Sequence, residues 1–224
     1  MKVYIGYDTS QDIAYQVCKS SILKYTDVEI IPLVQQHLRE QGIYTREVDP
    51  LSSTEFTFTR FLVPFLNDYK DWAIFVDSDF LFTEDISNLF KVASDEFAVM
   101  VVKHNYNPDS NIKMDNKKQF LYPRKNWSSL ILWNCGHPSN IALSTQTVNE
   151  KSGSYLHRFN WLNDNEIGDI DLRWNWLVNW YTSTDEVPKA IHYTEGGPWL
   201  ENYKNCEYAN LWIDEKNRML KEIQ

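Results

Sequence analysis

The chain predicts an α/β fold: an open central sheet with parallel strands, flanked by helices. Two observations carry this. A strand, a helix and a second strand follow one another within the first residues, a spacing that implies a right-handed parallel crossover. Further on, the apolar run Trp72-Ala73-Ile74-Phe75-Val76 ends abruptly in Asp77-Ser78-Asp79. Such a run, rich in branched and aromatic residues and bounded by polar ones, reads as a strand buried on both faces. The 224 residues fit one domain with a sizeable core.

In order, residues 3–7 read as the first strand. Asp8 ends it, and Thr9 or Ser10 can cap a helix running to about Tyr25. Residues 28–33 read as the second strand, and 35–51 as a polar connection. Ser52-Ser53-Thr54-Glu55 matches a capping box. Phe58, Phe61, Leu62, Phe65, Leu66 and Tyr69 then have helical spacing, so one buried helix, kinked at Pro64, should lead into the Asp77 strand. A short helix over 86–90 and a strand over 97–102 follow. Residues 103–126 form a long polar loop, and loops of that length are usually functional. A strand over 130–134, helices between Ser139 and Trp161, an acidic turn over 163–171, a short strand reaching His192 and a charged helical tail from Glu201 complete the reading. Most of the nine Trp belong to the core.

A net charge of −9 argues against nucleic acid as a general partner, so an anionic ligand needs a local cationic device. Cys18, Cys135 and Cys206 lack ligand spacing and cannot all pair, which suits reduced thiols in a cytoplasmic protein. The first apolar run is too short for a signal peptide, and no stretch approaches a membrane span.

Side chains two apart on an extended strand point the same way, so Asp77 and Asp79 can converge on one cation. Ligands of open α/β sheets sit beyond the carboxyl ends of the strands, where this pair falls. Oxygen ligands that leave room for water and phosphate suit Mn²⁺ or Mg²⁺. The pair also reads as two acids that cap a strand, or as the aspartyl nucleophile of a phosphohydrolase. Arg60 sits among apolar neighbours and needs an anionic partner if buried: phosphate, ribose or an Asp of the DSD segment. Tyr7 can stack on a base and Asp8 accept its N–H, or the two can simply pack and turn the chain. Asn126-Trp127-Ser128-Ser129, with Asn134, suits sugar hydroxyls, or is strand-edge polarity. In Asn163-Asp164-Asn165-Glu166-Ile167-Gly168-Asp169, one carboxylate can deprotonate an acceptor hydroxyl; Asp164 comes first, then Glu166 or Asp169. Each reads equally as a solvated loop acid. His192 is a good neutral ligand for Mn²⁺, and Gly196-Gly197 lets backbone N–H groups approach phosphate.

Together these stretches resemble the GT-A (nucleotide-diphospho-sugar transferase) fold glycosyltransferases of the glycogenin and galactosyltransferase type, especially the small versions of viral and bacterial genomes. The resemblance runs in order through IGYD, TEFTFTRF, FVDSD, YPRKNWSSLILWN, WLNDNEIGD with LRWN, and HYTEGGPW, the last similar to the family's HFxGxxKPW. It implies a mixed, mostly parallel central sheet flanked by helices, and Mn²⁺ (or Mg²⁺) held by Asp77, Asp79 and His192. It implies a UDP-sugar donor met by Tyr7, Asp8, Thr9, Arg60, Asp77, Ser78, Gly196 and Gly197, and a glycan or other hydroxyl acceptor. It also implies a nucleotide-binding half over 1–102, an acceptor and sugar half over 103–199 and a tail over 200–224. Gly197 stands where the family has Lys, and Trp127-Ser128-Ser129 where it has NxG, so sugar preference does not carry over. Three other readings compete. A phosphohydrolase wants Thr or Val two residues beyond Asp79, where Leu81 stands. A nucleotidyltransferase wants a basic Gly-rich loop, and GYDTSQD has no basic residue. A non-catalytic carbohydrate-binding domain would use the Trp-rich surface.

Overall fold

The computed structural model describes residues 1–47, 52–104, 124–182 and 186–222. Strands are β1 Lys2–Gly6, β2 Glu29–Leu33, β3 Trp72–Val76, β4 Phe80–Phe82, β5 Val99–Val101, β6 Leu130–Asn134, β7 Ile167–Asp169, β8 Trp176–Leu177 and β9 Ala190–His192. The α-helices are α1 Asp12–Leu23, α2 Gln35–Glu40, α3 Val63–Leu66, α4 Thr145–Glu150, α5 Gly153–His157 and α6 Ala209–Glu222.

Six strands form the central sheet in the order β2-β1-β3-β6-β5-β7. β2, β1 and β3 run parallel, β6 runs antiparallel to both its neighbours, and β5 and β7 are parallel. The predicted mixed, mostly parallel sheet is therefore observed. Alternate residues feed two cores, as the two-residue period of a strand requires. Tyr4, Phe75, Ile131 and Trp133 pack on one face with Phe61 and Phe159. Val3, Ile5, Ile74, Val76 and Leu132 pack on the other, against Cys18 and Ile22 of α1. A second sheet runs in the order β4-β9-β8. Trp133, Trp174, Trp176 and Trp212 are core, as expected.

Several expectations are corrected. The polar connection over 35–51 contains a helix, α2, which buries Leu38; residues 48–51 lie outside the described set. The single kinked helix over 58–69 is a 3₁₀ turn, Thr59–Leu62, followed by α3. Pro64 stands in the first turn of α3, where a missing N–H is harmless, so it starts a helix rather than bending one. Asp68 and Tyr69 then take positive φ and end the element. The capping box at 52–55 is not used: Thr9 Oγ1 donates to the Glu55 carboxylate, 2.5 Å away. The acidic turn holds a 3₁₀ turn, Asp164–Glu166, and then β7, which joins the sheet edge. The tail is a 3₁₀ turn, Glu201–Tyr203, and α6, which buries Trp212 and Met219. Buried Glu215 ties α6 to α1 by accepting from Ser20 Oγ at 2.7 Å; its partner Arg218, also on α6, donates to the Ser20 carbonyl at 3.2 Å. Among the described residues no helix is long and apolar enough to cross a membrane.

Gly6, the last residue of β1, is a close-approach glycine. A Cβ there would lie 2.4 Å from the Phe56 ring. Phe56 packs against Phe75 in the core, so the ring has little room to yield. Gly6→Ala is expected to cost about 1–3 kcal/mol as overpacking, read by urea denaturation; an unchanged midpoint would show that Phe56 moves freely.

Candidate active site

A cavity of about 470 Å³ opens beyond the carboxyl end of β3. Its floor is Asp77-Ser78-Asp79, the chain between β3 and β4. Backbone bonds hold this turn on both sides: the Asp77 N–H donates to the Ser129 carbonyl, and the Tyr193 N–H to the Asp79 carbonyl. β4 pairs antiparallel with β9 in the register Phe80↔His192, which brings His192 beside the acids. The two rings stack with centroids 4.3 Å apart.

One ligand atom from each of Asp77, Asp79 and His192 lies within 4.8 Å of the others. His192 Nε2 is 3.4 Å from Asp79 Oδ1. Asp79 Oδ1 is buried and accepts no hydrogen bond among the described residues, whereas Asp77 Oδ1 is ion-paired to Arg60. A buried acceptor oxygen left over beside a second carboxylate fits a hard divalent cation, and the third donor is an imidazole, which suits Mn²⁺. The residues present therefore fit the implied metal.

Arg60 is buried on the 3₁₀ turn before α3. Its Nη1 donates to the Ser128 carbonyl at 2.8 Å and lies 2.8 Å from Asp77 Oδ1 as an ion pair. Its guanidinium covers the Phe56 and Phe75 rings at 5.4 and 5.0 Å. Of the three partners expected for Arg60, the structure contains the Asp. Burial pushes the Asp77 carboxyl up to about 7, helped by Asp79 and opposed by Arg60. A carboxyl raised in the fold contributes stability that is fully present below its unfolded value and lost as pH rises through about 7. A cation must displace that proton. Mn²⁺ is thus expected to raise Tm more at about pH 8 than at about pH 6; equal shifts would place the ion elsewhere.

The cavity wall carries Ser128, Ser129, Asn126 and His157. Ser128 Oγ lies 2.8 Å from His157 Nδ1. Burial, then the Arg60 charge, lowers His157 to about 3, so this ring is neutral. Asn126 adopts φ 62°, and its Nδ2 is buried with no partner among the described residues, a donor left for a ligand. Opposite stand Gly196, Trp199 and Glu195, whose carboxylate accepts from Trp180 Nε1 at 3.3 Å.

Of the expected site residues, the structure brings Arg60, Asp77, Ser78, Asp79, Asn126, Ser128, Ser129, His192 and Gly196 to this cavity. Others are placed differently. Asp8 lines an adjoining groove that shares Ser53 and Thr54 with the cavity. Its oxygens already accept from Ser10 N, Ser10 Oγ and Glu55 N. Tyr7 donates to Asp12 Oδ1 at 3.0 Å and packs edge-on against Tyr15. Thr9 is bound to Glu55. Trp127 donates Nε1 to the His104 carbonyl. The Gly196 N–H closes a turn onto the Tyr193 carbonyl, so it is not free for phosphate. Gly196 takes φ 133°, a region that favours glycine, and Gly197 is held by Trp199, 1.9 Å from where a Cβ would stand.

Asn134 is corrected outright. β6 runs antiparallel to β3, so Asn134 pairs with Trp72, at the end of β3 opposite the cavity. Its Nδ2 donates to the Phe97 carbonyl. The acidic trio is also dispersed. Asp164 is exposed and paired with Arg124. Glu166 precedes β7 at its amino end and is held by Asn163 and Ser139, whose hydrogen bonds lower its pKa. Asp169 alone lies at the carboxyl end of β7, in a separate groove with Lys103, Asp171 and Tyr181. Tyr122 and Pro123, part of the expected sugar-side stretch, lie outside the described residues. Sequence reasoning missed Gln11, His157 and Glu195 as cavity residues. No local pattern marks any of them.

No protein-family model matches the chain. Among solved structures, the bifunctional glycosyltransferase WbbM superposes with a TM-score of 0.66 at 16% identity, over 96% of this chain and 49% of that one. The glycosyltransferase GlyE of Streptococcus pneumoniae gives 0.64 at 15% identity, over 99% and 62%. The chain thus spans about half to three-fifths of these two proteins. The galactosyltransferase LgtC, solved with donor and acceptor sugar analogues, gives 0.60 at 12% identity, over 97% and 96%. At such identities the likeness is one of fold, and the fold is GT-A. In sequence, the chain is 50% identical to Protein CDI of Arabidopsis thaliana over 227 aligned residues, covering 99% of this chain and 88% of that protein. The chain belongs to the family of Protein CDI.

Proposed function

We propose that the protein is a metal-dependent glycosyltransferase that moves a sugar from a UDP-sugar to a hydroxyl of a glycan. We place it with the small glycogenin- and galactosyltransferase-like members of the fold. The observation that supports this best is the convergence of Asp77, Asp79 and His192 on one buried point at the floor of a cavity. It lies where open α/β sheets bind ligands.

Breaking the bond at the anomeric carbon leaves positive charge on the sugar and negative charge on the diphosphate. Bound Mn²⁺ or Mg²⁺ supplies Lewis-acid stabilisation of that leaving charge. Asp77, Asp79 and His192 would hold it, and Arg60 keeps Asp77 in place. The nucleotide lies along the turn after β1, with Asp8 as the anchor of that turn. Asn126 and Ser128 contact the sugar. His157 stays neutral and orients the Ser128 hydroxyl. Beside Asp77 and Asp79, Glu195 is the remaining carboxylate among the described cavity residues. Inversion of configuration would draw its base from Glu195, in place of Asp164; retention needs none there.

The test is a panel of nucleotide sugars with Mn²⁺ or EDTA, read as UDP release and UDP binding. Metal-dependent UDP release with one donor is the expected result. Silence with every donor, with no UDP bound, sinks the proposal. Glycan binding that ignores both UDP and metal would make it a carbohydrate-binding domain instead.

A further inference from the structure

His192 makes two polar contacts of different kinds. Its Nδ1 lies 2.9 Å from Asn175 Oδ1, and its Nε2 lies 3.4 Å from Asp79 Oδ1. A neutral imidazole carries one proton, so one nitrogen donates and the other offers a lone pair. The choice is made three groups away. The Asn126 carbonyl can only accept. Ser129 Oγ lies 2.8 Å from it and Asn175 Nδ2 3.5 Å, so both groups point hydrogens at that oxygen. With its own hydrogen committed, Ser129 Oγ accepts from Asn175 Nδ2 at 2.9 Å. Turning the amide over would set two carbonyl oxygens against each other. The amide therefore shows Oδ1 to His192, and an amide oxygen only accepts. Nδ1 must carry the proton. Asn175, His192 and Ser129 are all buried, at 0%, 2% and 4% exposure, so bulk water is not available to reverse any link.

We propose that Asn175 is a positioning residue which, through Ser129 and the Asn126 carbonyl, locks His192 in the Nδ1–H tautomer and aims its Nε2 lone pair at the cation seat. The inference rests on the metal reading above. It also explains a tension in the metal-free site. The Nε2 lone pair faces a buried Asp79 oxygen with no hydrogen bond, 3.4 Å away. Two lone pairs so placed repel, and a cation between them removes the repulsion. Outer-shell partners of metal-bound His rings act in this way, and their loss weakens metal binding about 10–100-fold.

The experiment has two readouts. The first is the ¹⁵N spectrum of metal-free, histidine-labelled protein in mildly alkaline solution, with His192 assigned by its loss in His192→Gln. Protonated Nδ1 and bare Nε2 are expected; protonated Nε2 overturns the proposal. The second is Mn²⁺ affinity by calorimetry. Asn175→Leu is expected to bind about 10–100-fold more weakly. Asn175→Asp keeps an acceptor facing Nδ1 but loses the hydrogens given to Ser129 and the Asn126 carbonyl; it is expected to keep the Nδ1–H tautomer and to restore only part of the affinity lost in Asn175→Leu. Wild-type affinity in Asn175→Leu overturns the proposal. The tautomer is read on wild-type protein, so an Asn175→Leu variant that fails to fold leaves the question decided. Wild-type protein that binds no Mn²⁺ would overturn the metal reading instead, while the spectrum still judges the relay.

Discussion

Asp79→Asn is expected to lower sugar transfer about a thousandfold, or ~4 kcal/mol at about 1.36 kcal/mol per tenfold. The substitution keeps the shape of the side chain and removes its charge. The Asp79 oxygen is one of three donors that close on one point, and it is the one His192 faces. In the proposed reaction, loss of a ligand from so small a set would remove charge stabilisation that acts only as the diphosphate departs, so turnover should fall more than donor binding does. Initial rates of UDP release, taken across a Mn²⁺ titration, measure this. A variant that keeps about a tenth of the wild-type rate or more would remove Asp79 from the chemistry.

The second large effect is on stability. Arg60→Met should destabilise the metal-free protein by roughly 3–5 kcal/mol above neutral pH, the range for one partner removed from a buried ion pair. Arg60 opposes the rise in the Asp77 pKa, so without it that carboxyl rises further above about 7. The sign follows directly. At low pH Asp77 is protonated in either protein, and the cost of losing Arg60 shrinks to lost contacts with Phe56, Phe75 and the Ser128 carbonyl. As pH rises, the fold must bury a carboxylate with no cation beside it, and the cost grows. Urea denaturation at acid and alkaline pH reads the difference. Mn²⁺ should return part of the loss. A cost independent of pH would mean that Arg60 acts by shape rather than charge.

The loop after β9 shows how far a motif carries. Gly196-Gly197 reads in sequence as a backbone cradle for phosphate, yet the Gly196 amide closes its own turn and both glycines answer crowding by Tyr203 and Trp199. The glycines are needed, for a local reason. The helix expected over 58–69 failed similarly. Its apolar spacing was correct, but Phe61 and Leu62 reach the core from a 3₁₀ turn, and helical periodicity does not separate the two over so few residues.

The sequence by itself determined the strand that ends in Asp77-Ser78-Asp79 and the opening parallel crossover. Each of these is written in adjacent residues, as an apolar run, a period or an abrupt change of polarity. Tertiary structure alone decided which distant groups meet those acids. His192 arrives because β9 pairs with β4, Asn175 because its amide caps the buried ring, and Asn134 is carried away because β6 runs antiparallel. Strands of two to five residues hold too little pattern to name their partners or their direction. The geometry of the candidate site was therefore set by pairing register, which no single stretch of the chain contains.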